Sequence, residues 1–356
     1  MSAEALVKRV LVTGVAGEVG SSLVHHLSQS GSYEVVGFDI RKPSAEVESR
    51  CVKVEVGDIA DAGAVLKVGE VGDFDSIYHL AGVLSTGGEK APLLAHHVNV
   101  AGTLNILELS RVQSERRGQP VTVVFTSTIA AYGVGSIEEK AKLGRVTEDQ
   151  ALNPVTMYGA NKLYCEALGR YYSENFGMLE DCVDRIRPDF RAVRFPGLLS
   201  AHTLPTGGTS DYAPEMVHAA AQGVAYRCFV RPDTRIPFMM MPDGVRALLM
   251  VGDADRSRLT RRVYNVGAFA PSAGEIAGLV SQFFPNSAVT YEPHPARQAI
   301  VDSWPEDVDD SAARRDFGWS PLYSCEGGFS EYLMPSIVER YGDTARRRRD
   351  MGAVTN

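Results

Sequence analysis

The apolar run Val10-Leu11-Val12 passes through Thr13 into Gly14-Val15-Ala16-Gly17-Glu18-Val19-Gly20, and that loop opens a segment with Leu23, Val24 and Leu27 at helical spacing. Strand, three-glycine loop and helix in this order leave few folds open. A diphosphate approaches backbone only where Cβ atoms are absent, and the freed N–H groups with the positive helix end then bind its charge. Gly14 permits the turn, Gly17 the close approach and Gly20 tight helix packing. The spacing is GxxGxxG rather than GxGxxG. In a chain with 34 glycines, the position between strand and helix carries the argument more than the glycines do.

Short β-branched runs recur at 34–38, 76–79 and 121–126, with helix-like periodic segments between them. This alternation predicts a parallel sheet covered by helices, and the apolar Val121-Thr122-Val123-Val124-Phe125 fits a strand buried on both faces. Beyond Arg194 a Pro/Gly-rich segment, from Phe195-Pro196-Gly197 to Thr206-Gly207-Gly208-Thr209, replaces the next helix. Met239-Met240-Met241-Pro242-Asp243 leads into an apolar helix with Asp243 as its expected N-cap, and 263–266 reads as a strand rejoining the sheet. The expected fold class is α/β: a Rossmann doubly wound parallel sheet with a smaller, interleaved C-terminal substrate-binding subdomain. Its expected parts are 1–196 rejoined by 236–268 for the dinucleotide, 197–235 with 269–340 for the substrate, and a tail at 341–356.

Asp39 ends the second strand near the offset at which an acid meets the adenosine ribose. A carboxylate there accepts from both ribose hydroxyls and repels a 2′-phosphate, so NAD is expected rather than NADP. Arg41 is either a surface charge beside Asp39 or a ribose or adenine contact. Asp58-Ile59 and Leu80-Ala81-Gly82 follow the third and fourth strands, where a cofactor lying across strand ends would touch the chain. With Gly14, Gly17, Glu18, Val19 and Ile40 they complete the candidate contacts on this side.

A net charge of −8 argues against a nucleic-acid surface, and the one basic run, Arg346 to Arg349, reads as a solvated helix end. Five cysteines, at 51, 165, 182, 228 and 325, form no CxxC pair, and the eight histidines form no HExxH; free thiols, no metal and a cytoplasmic location are expected. No apolar stretch approaches the ~20 residues of a membrane span.

Tyr158 and Lys162 stand four apart and so share a helix face. A phenol is a poor base at neutral pH, and a neighbouring ammonium stabilises its phenolate, so Tyr158 can take a proton from an alcohol. Ser127-Thr128 end the buried strand, where a hydroxyl can hydrogen-bond the reacting oxygen. Asn99 packs near that strand and can hold a water or a backbone kink, or simply bridge within the core.

In this order, GxxGxxG, Asp39, Asp58, Asn99, Ser127-Thr128 and Tyr158/Lys162 resemble the extended short-chain dehydrogenases. The resemblance makes Tyr158 the base, has Lys162 and Tyr158 contact the nicotinamide ribose as well, and gives the assisting role to Thr128, four residues before Tyr132. A closer resemblance, over roughly residues 9 to 335, is to the metal-independent L-threonine 3-dehydrogenases. It is carried by Leu84-Ser85-Thr86-Gly87-Gly88-Glu89-Lys90, Arg194-Phe195-Pro196-Gly197-Leu198-Leu199-Ser200, Gly207-Gly208-Thr209-Ser210-Asp211-Tyr212, Pro237-Phe238-Met239-Met240-Met241, and Asp302-Ser303-Trp304-Pro305 with Asp309-Asp310-Ser311. That likeness implies that Ser85 and Thr209 contact the amino acid with Thr128 and Tyr158, that Leu198 lies beside the nicotinamide, and that helices near 92–116 and 156–176 pair in a homodimer. Trp304 is read as a core anchor. Two departures are Thr206, where the family usually has a third glycine, and about ten extra residues around 178–187.

The implied reaction is NAD-dependent oxidation of L-threonine to 2-amino-3-oxobutyrate. The alternatives are a nucleotide-sugar epimerase or reductase on the same fold, and a cofactor-sensing binding protein that has lost turnover. A dehydratase would need an acid pair beside Thr128, where the chain has Ile129-Ala130-Ala131.

Overall fold

The computed structural model describes residues 7–179, 185–205 and 208–342. Seven strands, β1 (Lys8–Thr13), β2 (Tyr33–Asp39), β3 (Lys53–Val56), β4 (Ser76–His79), β5 (Thr122–Thr128), β6 (Asp189–Phe195) and β7 (Val263–Asn265), form one parallel sheet in the order 3-2-1-4-5-6-7. The expected Rossmann sheet is present, including the late strand that rejoins it. Chain order reverses between β1 and β4, so the carboxyl ends of those strands flank the crevice where such sheets bind ligands.

Alternation along the strands divides the core. Val10 and Val12 join Leu23, Leu27, Leu248 and Val251 on one face, while Leu11 joins Ile77, Ile106, Leu107 and Phe190 on the other. Both faces are covered, as a wholly parallel sheet requires. A third core, with Tyr212, Met216, Phe238, Ile276, Trp304 and Phe329 at its centre, gathers residues from 129 to 146 and from 199 to 337. Three two-stranded parallel pairs frame it: Gly197–Leu199 with Phe238–Met240, Tyr226–Cys228 with Val289–Tyr291, and Arg145–Val146 with Asp307–Val308.

Local chemistry sets the helix ends that matter here. The helix Glu18–Gln29 starts at Gly17 with no side-chain cap, which leaves first-turn N–H groups for a ligand. By contrast Met157–Arg170 is capped by Thr156, whose hydroxyl accepts from Gly159 N at 3.1 Å. Asp243 is not the N-cap of Met241–Asp253: Met240 is, because Pro242 sits in the first turn and starts the helix earlier. The buried Asp243 carboxylate instead accepts from Leu322 N at 2.7 Å and Tyr323 N at 3.3 Å.

Thr206, Cys182, the Arg346–Arg349 run and the middle of the 178–187 insertion lie outside the described residues. Among the described ones, four cysteines are free, and no helix is long and apolar enough to cross a membrane.

Candidate active site

A cradle for a diphosphate forms where β1 meets its helix. Gly14 has φ +72°, and a Cβ there would lie 2.8 Å from Ala81 N and 2.9 Å from Leu80 C; a Cβ on Gly20 would overlap the Gly14 carbonyl oxygen. Only glycine satisfies both positions. Asp39 fastens this loop to the end of β2, accepting from Ala16 N at 2.9 Å and Arg41 N at 3.0 Å. Around it Gly14, Ile40, Arg41, Asp58, Ile59 and Leu80 to Gly82 wall a cavity of about 310 Å³.

The turn after β4 is held from behind by one directed chain of hydrogen bonds. Leu80 N and Ala81 N donate to Thr13 Oγ1 at 3.2 and 3.3 Å, and Thr13 Oγ1 meets His79 Nδ1 at 2.8 Å. His79 Nε2 meets Thr103 Oγ1 at 3.1 Å, and Thr103 donates to the Asn99 carbonyl at 2.6 Å. With donors fixed at both ends, His79 must carry its proton on Nε2. Burial, with the Lys162 charge adding to it, holds this imidazole neutral by pushing it down to about 3. Asn99 completes the clamp: Oδ1 accepts from Val83 N at 2.7 Å and Nδ2 donates to Val83 O at 3.0 Å. It sits in the π-helical turn His97–Ala101, so it shapes the cofactor wall through the Val83 backbone.

An adjoining cavity of about 400 Å³ shares Gly14, Gly17, Arg41, Leu80 and Gly82 with the first, adds Glu18 and Val19, and continues to Thr128, Tyr158, Lys162, Leu198, Ser85 and Thr209. Thr128 and Tyr158 line this cavity together, with the Thr128 hydroxyl near enough to pull the Tyr158 phenol down. Close packing makes this pair possible, since a Cβ on Gly159 would overlap the Ala130 carbonyl in the 3-10 turn Ile129–Ala131. Ser127, expected beside Thr128 in the catalytic set, lines the same cavity, but its hydroxyl is engaged by a buried carboxylate. Its hydroxyl donates to Glu166 at 2.5 Å, and Glu166 pairs with Arg194 at 2.7 Å, all three side chains being buried.

The electrostatics also depart from expectation. Burial pushes the Tyr158 phenol up to about 12, and only the neighbouring Thr128 hydroxyl pulls it down. Lys162 is pushed down to about 8 by burial, and its ammonium donates to Thr126 O at 2.7 Å while lying 5.7 Å from the Tyr158 ring centroid. In the chain alone, desolvation of the phenolate therefore outweighs what the lysine returns.

At the far end Ser85 Oγ and Thr209 Oγ1 meet at 3.1 Å, joining segments 124 residues apart. Trp304 lines the same cavity. Sequence reasoning missed the roles of His79 and Glu166, whereas Trp304, read as a core anchor, is buried in the third core. Glu166 carried a signal, since Tyr158, Lys162 and Glu166 repeat every four residues along one helix face; His79 shows its role only through contacts made by folding.

The model of the NAD dependent epimerase/dehydratase family matches residues 10–267. This chain belongs to that family. It is an NAD-binding enzyme of the epimerase/dehydratase superfamily, and the glycine cradle, with its uncapped helix end, fits the dinucleotide. The mitochondrial L-threonine 3-dehydrogenase of Bos taurus is 36% identical over 318 residues, covering 89% of this chain and 79% of that one. The L-threonine 3-dehydrogenase structure from Trypanosoma brucei matches at TM-score 0.80 and 32% identity, over 95% of this chain and 98% of that one. UDP-glucose 4-epimerase from Thermotoga maritima, at TM-score 0.76 and 20% identity over 92% and 97%, shares the fold.

Proposed function

We propose that this enzyme oxidises L-threonine at the β-hydroxyl to 2-amino-3-oxobutyrate with NAD as acceptor. The observation that carries this reading is the Ser85–Thr209 bond, which sets two hydroxyls in the wall of the cavity that also holds Thr128 and Tyr158. Paired hydroxyls of this kind suit the charged ends of a small zwitterion. Similarity to the bovine and trypanosomal threonine dehydrogenases supports the same substrate.

In this proposal the β-hydroxyl lies between Tyr158 and Thr128, Thr128 holds its oxygen, and Tyr158 takes its proton. When bound, NAD supplies the acceptor for the hydride that leaves the β-carbon and a positive charge that eases formation of the Tyr158 phenolate. Lys162 holds the ribose side, with Leu198 beside the nicotinamide. Gly14, Gly17, Glu18 and Val19 take the diphosphate, and Asp39, Ile40, Arg41, Asp58 and Ile59 the adenosine. The division into a dinucleotide region, 1–196 with 236–268, and a substrate region, 197–235 with 269–340, belongs to the proposal; the third core draws Ile129, Tyr132 and Val146 across it. We also assign the enzyme to the cytoplasm, in keeping with its free thiols, and to a homodimer. Leu93, Leu104, Val112, Tyr164 and Tyr171, on the helices expected to pair, are all exposed.

The test is NADH absorbance with threonine, serine, phenylserine and a UDP-sugar. Net NADH from threonine is expected. Interconversion of the UDP-sugar without net NADH, and no response to threonine, would overturn the reading in favour of an epimerase.

A further inference from the structure

Tyr158 stands on the least anchored turn of its helix. It is the second residue of Met157–Arg170, and the first N–H groups of a helix have no partner within it. Lys162, one turn further on, is buried and tied to Thr126 O at 2.7 Å. Tyr158 is held from two sides. On one, Gly159 packs so closely that a Cβ there would overlap the Ala130 carbonyl, and Thr156, the local cap, accepts from Gly159 N. On the other, Glu89 reaches in from 68 residues away, and its Oε1 accepts from Met157 N at 2.9 Å. The backbone donors just before and just after Tyr158 are thus both engaged, one by the helix's own cap and one by a distant segment.

The Glu89 bond is solvent-exposed, so water can satisfy Met157 N equally well. What water does not supply is a fixed distance. Glu89 belongs to the short helix Ser85–Lys90, whose Gly88 lies beside the base: a Cβ there would be 3.6 Å from Tyr158 N and 3.8 Å from Tyr158 Cβ. The same segment is clamped at its start, where Asn99 accepts from Val83 N at 2.7 Å and donates to Val83 O at 3.0 Å. Residues 83–89 therefore form a strut with one foot on the cofactor wall and the other on the helix end that carries Tyr158. Glu89 itself lines neither the catalytic nor the adenosine cavity, so its effect passes through the backbone.

We propose that Glu89 is a positioning residue for proton removal, acting through Met157 N to hold Tyr158 at a fixed reach from the cofactor wall. This rests on the reading of Tyr158 as the base. Misplacing a reacting group by an ångström costs about 100-fold in rate, so a strut that adds little to stability still matters to turnover. The reach of the acceptor does this, not its charge.

The test uses the full-length enzyme in three forms. Glu89→Ala removes the acceptor, Glu89→Asp keeps the charge but draws the oxygens back by one methylene, and Glu89→Gln keeps an acceptor at full length without the charge. Threonine kcat is counted per NAD-binding site, so that unfolded protein does not enter. It should fall about 10-fold in Glu89→Ala and Glu89→Asp, as for a displacement of less than an ångström. In Glu89→Gln it should stay within twofold of wild type, and the NAD Kd should be unchanged in all three. A merely structural cap gives another pattern, a lowered urea midpoint with kcat per site unchanged. If Glu89→Ala or Glu89→Asp stays within twofold of wild type, or if Glu89→Gln is as slow as Glu89→Ala, the role of Glu89 is overturned while the function stands. If the wild-type enzyme makes no NADH from any β-hydroxy amino acid, the reading of the site fails and takes this inference with it.

Discussion

The two halves of the cavity are built on opposite plans. The dinucleotide half is made of backbone fixed from behind: Asp39 ties down Ala16 and Arg41, Asn99 ties down Val83, and the Thr13–His79–Thr103 chain ties down Leu80 and Ala81. The substrate half is made of side chains that meet from distant segments, with Ser85 and Thr209 joined by one bond and Thr128 and Tyr158 lining the same cavity. One half is completed by folding. The other keeps hydrogen-bonding capacity for its ligand, so substitutions in the two halves should separate cofactor binding from turnover.

The largest separation is expected from Tyr158→Phe. Losing the base should lower kcat by about 10²–10⁴-fold, while NAD titrated against the variant should bind as in the wild type. Because burial pushes this phenol up to about 12, wild-type kcat/KM should rise with pH from neutrality upward. A variant that keeps wild-type activity, or a pH profile flat from 7 to 9, would remove Tyr158 from the role of base.

The neighbouring hydroxyls sharpen the comparison within one strand end. Thr128→Ala should cost about 10²-fold in kcat, as removal of a donor to the reacting oxygen does. Ser127→Ala should leave kcat within a few-fold and instead destabilise the fold by about 1.5–3 kcal/mol, the worth of a buried hydrogen bond to a charged group, read as a lowered urea midpoint. If Ser127→Ala is the more damaging to kcat, the buried Ser127–Glu166–Arg194 arrangement is not what separates the two roles.

These residues also mark how far the sequence could be read. The glycine loop, the acid at 39 and the Tyr158/Lys162 spacing were legible because each depends on a few neighbours along the chain. So was the parallel sheet, from the apolar β5. Both Ser127 and Thr128 line the cavity, and what divides them is the buried partner that engages the Ser127 hydroxyl, Glu166, which shows only after folding. The Ser85–Thr209 contact was not legible, because it joins segments 124 residues apart. Asp243 misled for a different reason: an acid near a helix start looks like a cap, and the residues that occupy its carboxylate, Leu322 and Tyr323, are distant in sequence.

In the dinucleotide half, Gly20→Ala should be felt as an overlap with the Gly14 carbonyl. Overpacking of this kind costs about 1–3 kcal/mol of stability. Displacement of the loop should also weaken NAD by roughly tenfold, since about 1.4 kcal/mol is a factor of ten. At saturating NAD, the threonine KM should move much less than the NAD Kd. Equal changes in both would mean that the two halves are mechanically one.

The smallest expected effect tests whether the dinucleotide half is held as rigidly as its hydrogen bonds imply. His79 is pushed down from 6.5 to about 3 by burial and by Lys162. Below pH 6.5 the unfolded chain takes up a proton at this residue that the folded chain refuses until about pH 3. The folded state therefore loses stability as pH falls through that window, by about 1.4 kcal/mol per pH unit for a single proton. In His79→Gln, whose amide can accept from Thr13 and donate to Thr103 without titrating, this contribution should vanish. The difference between wild-type and variant stability, measured by urea unfolding from pH 7 to pH 5, should carry that slope with the wild type the more acid-sensitive. Parallel curves would mean that His79 takes its proton in the folded state near pH 6.5, in which case the directed chain from Leu80 and Ala81 to Asn99 cannot be what fixes the turn.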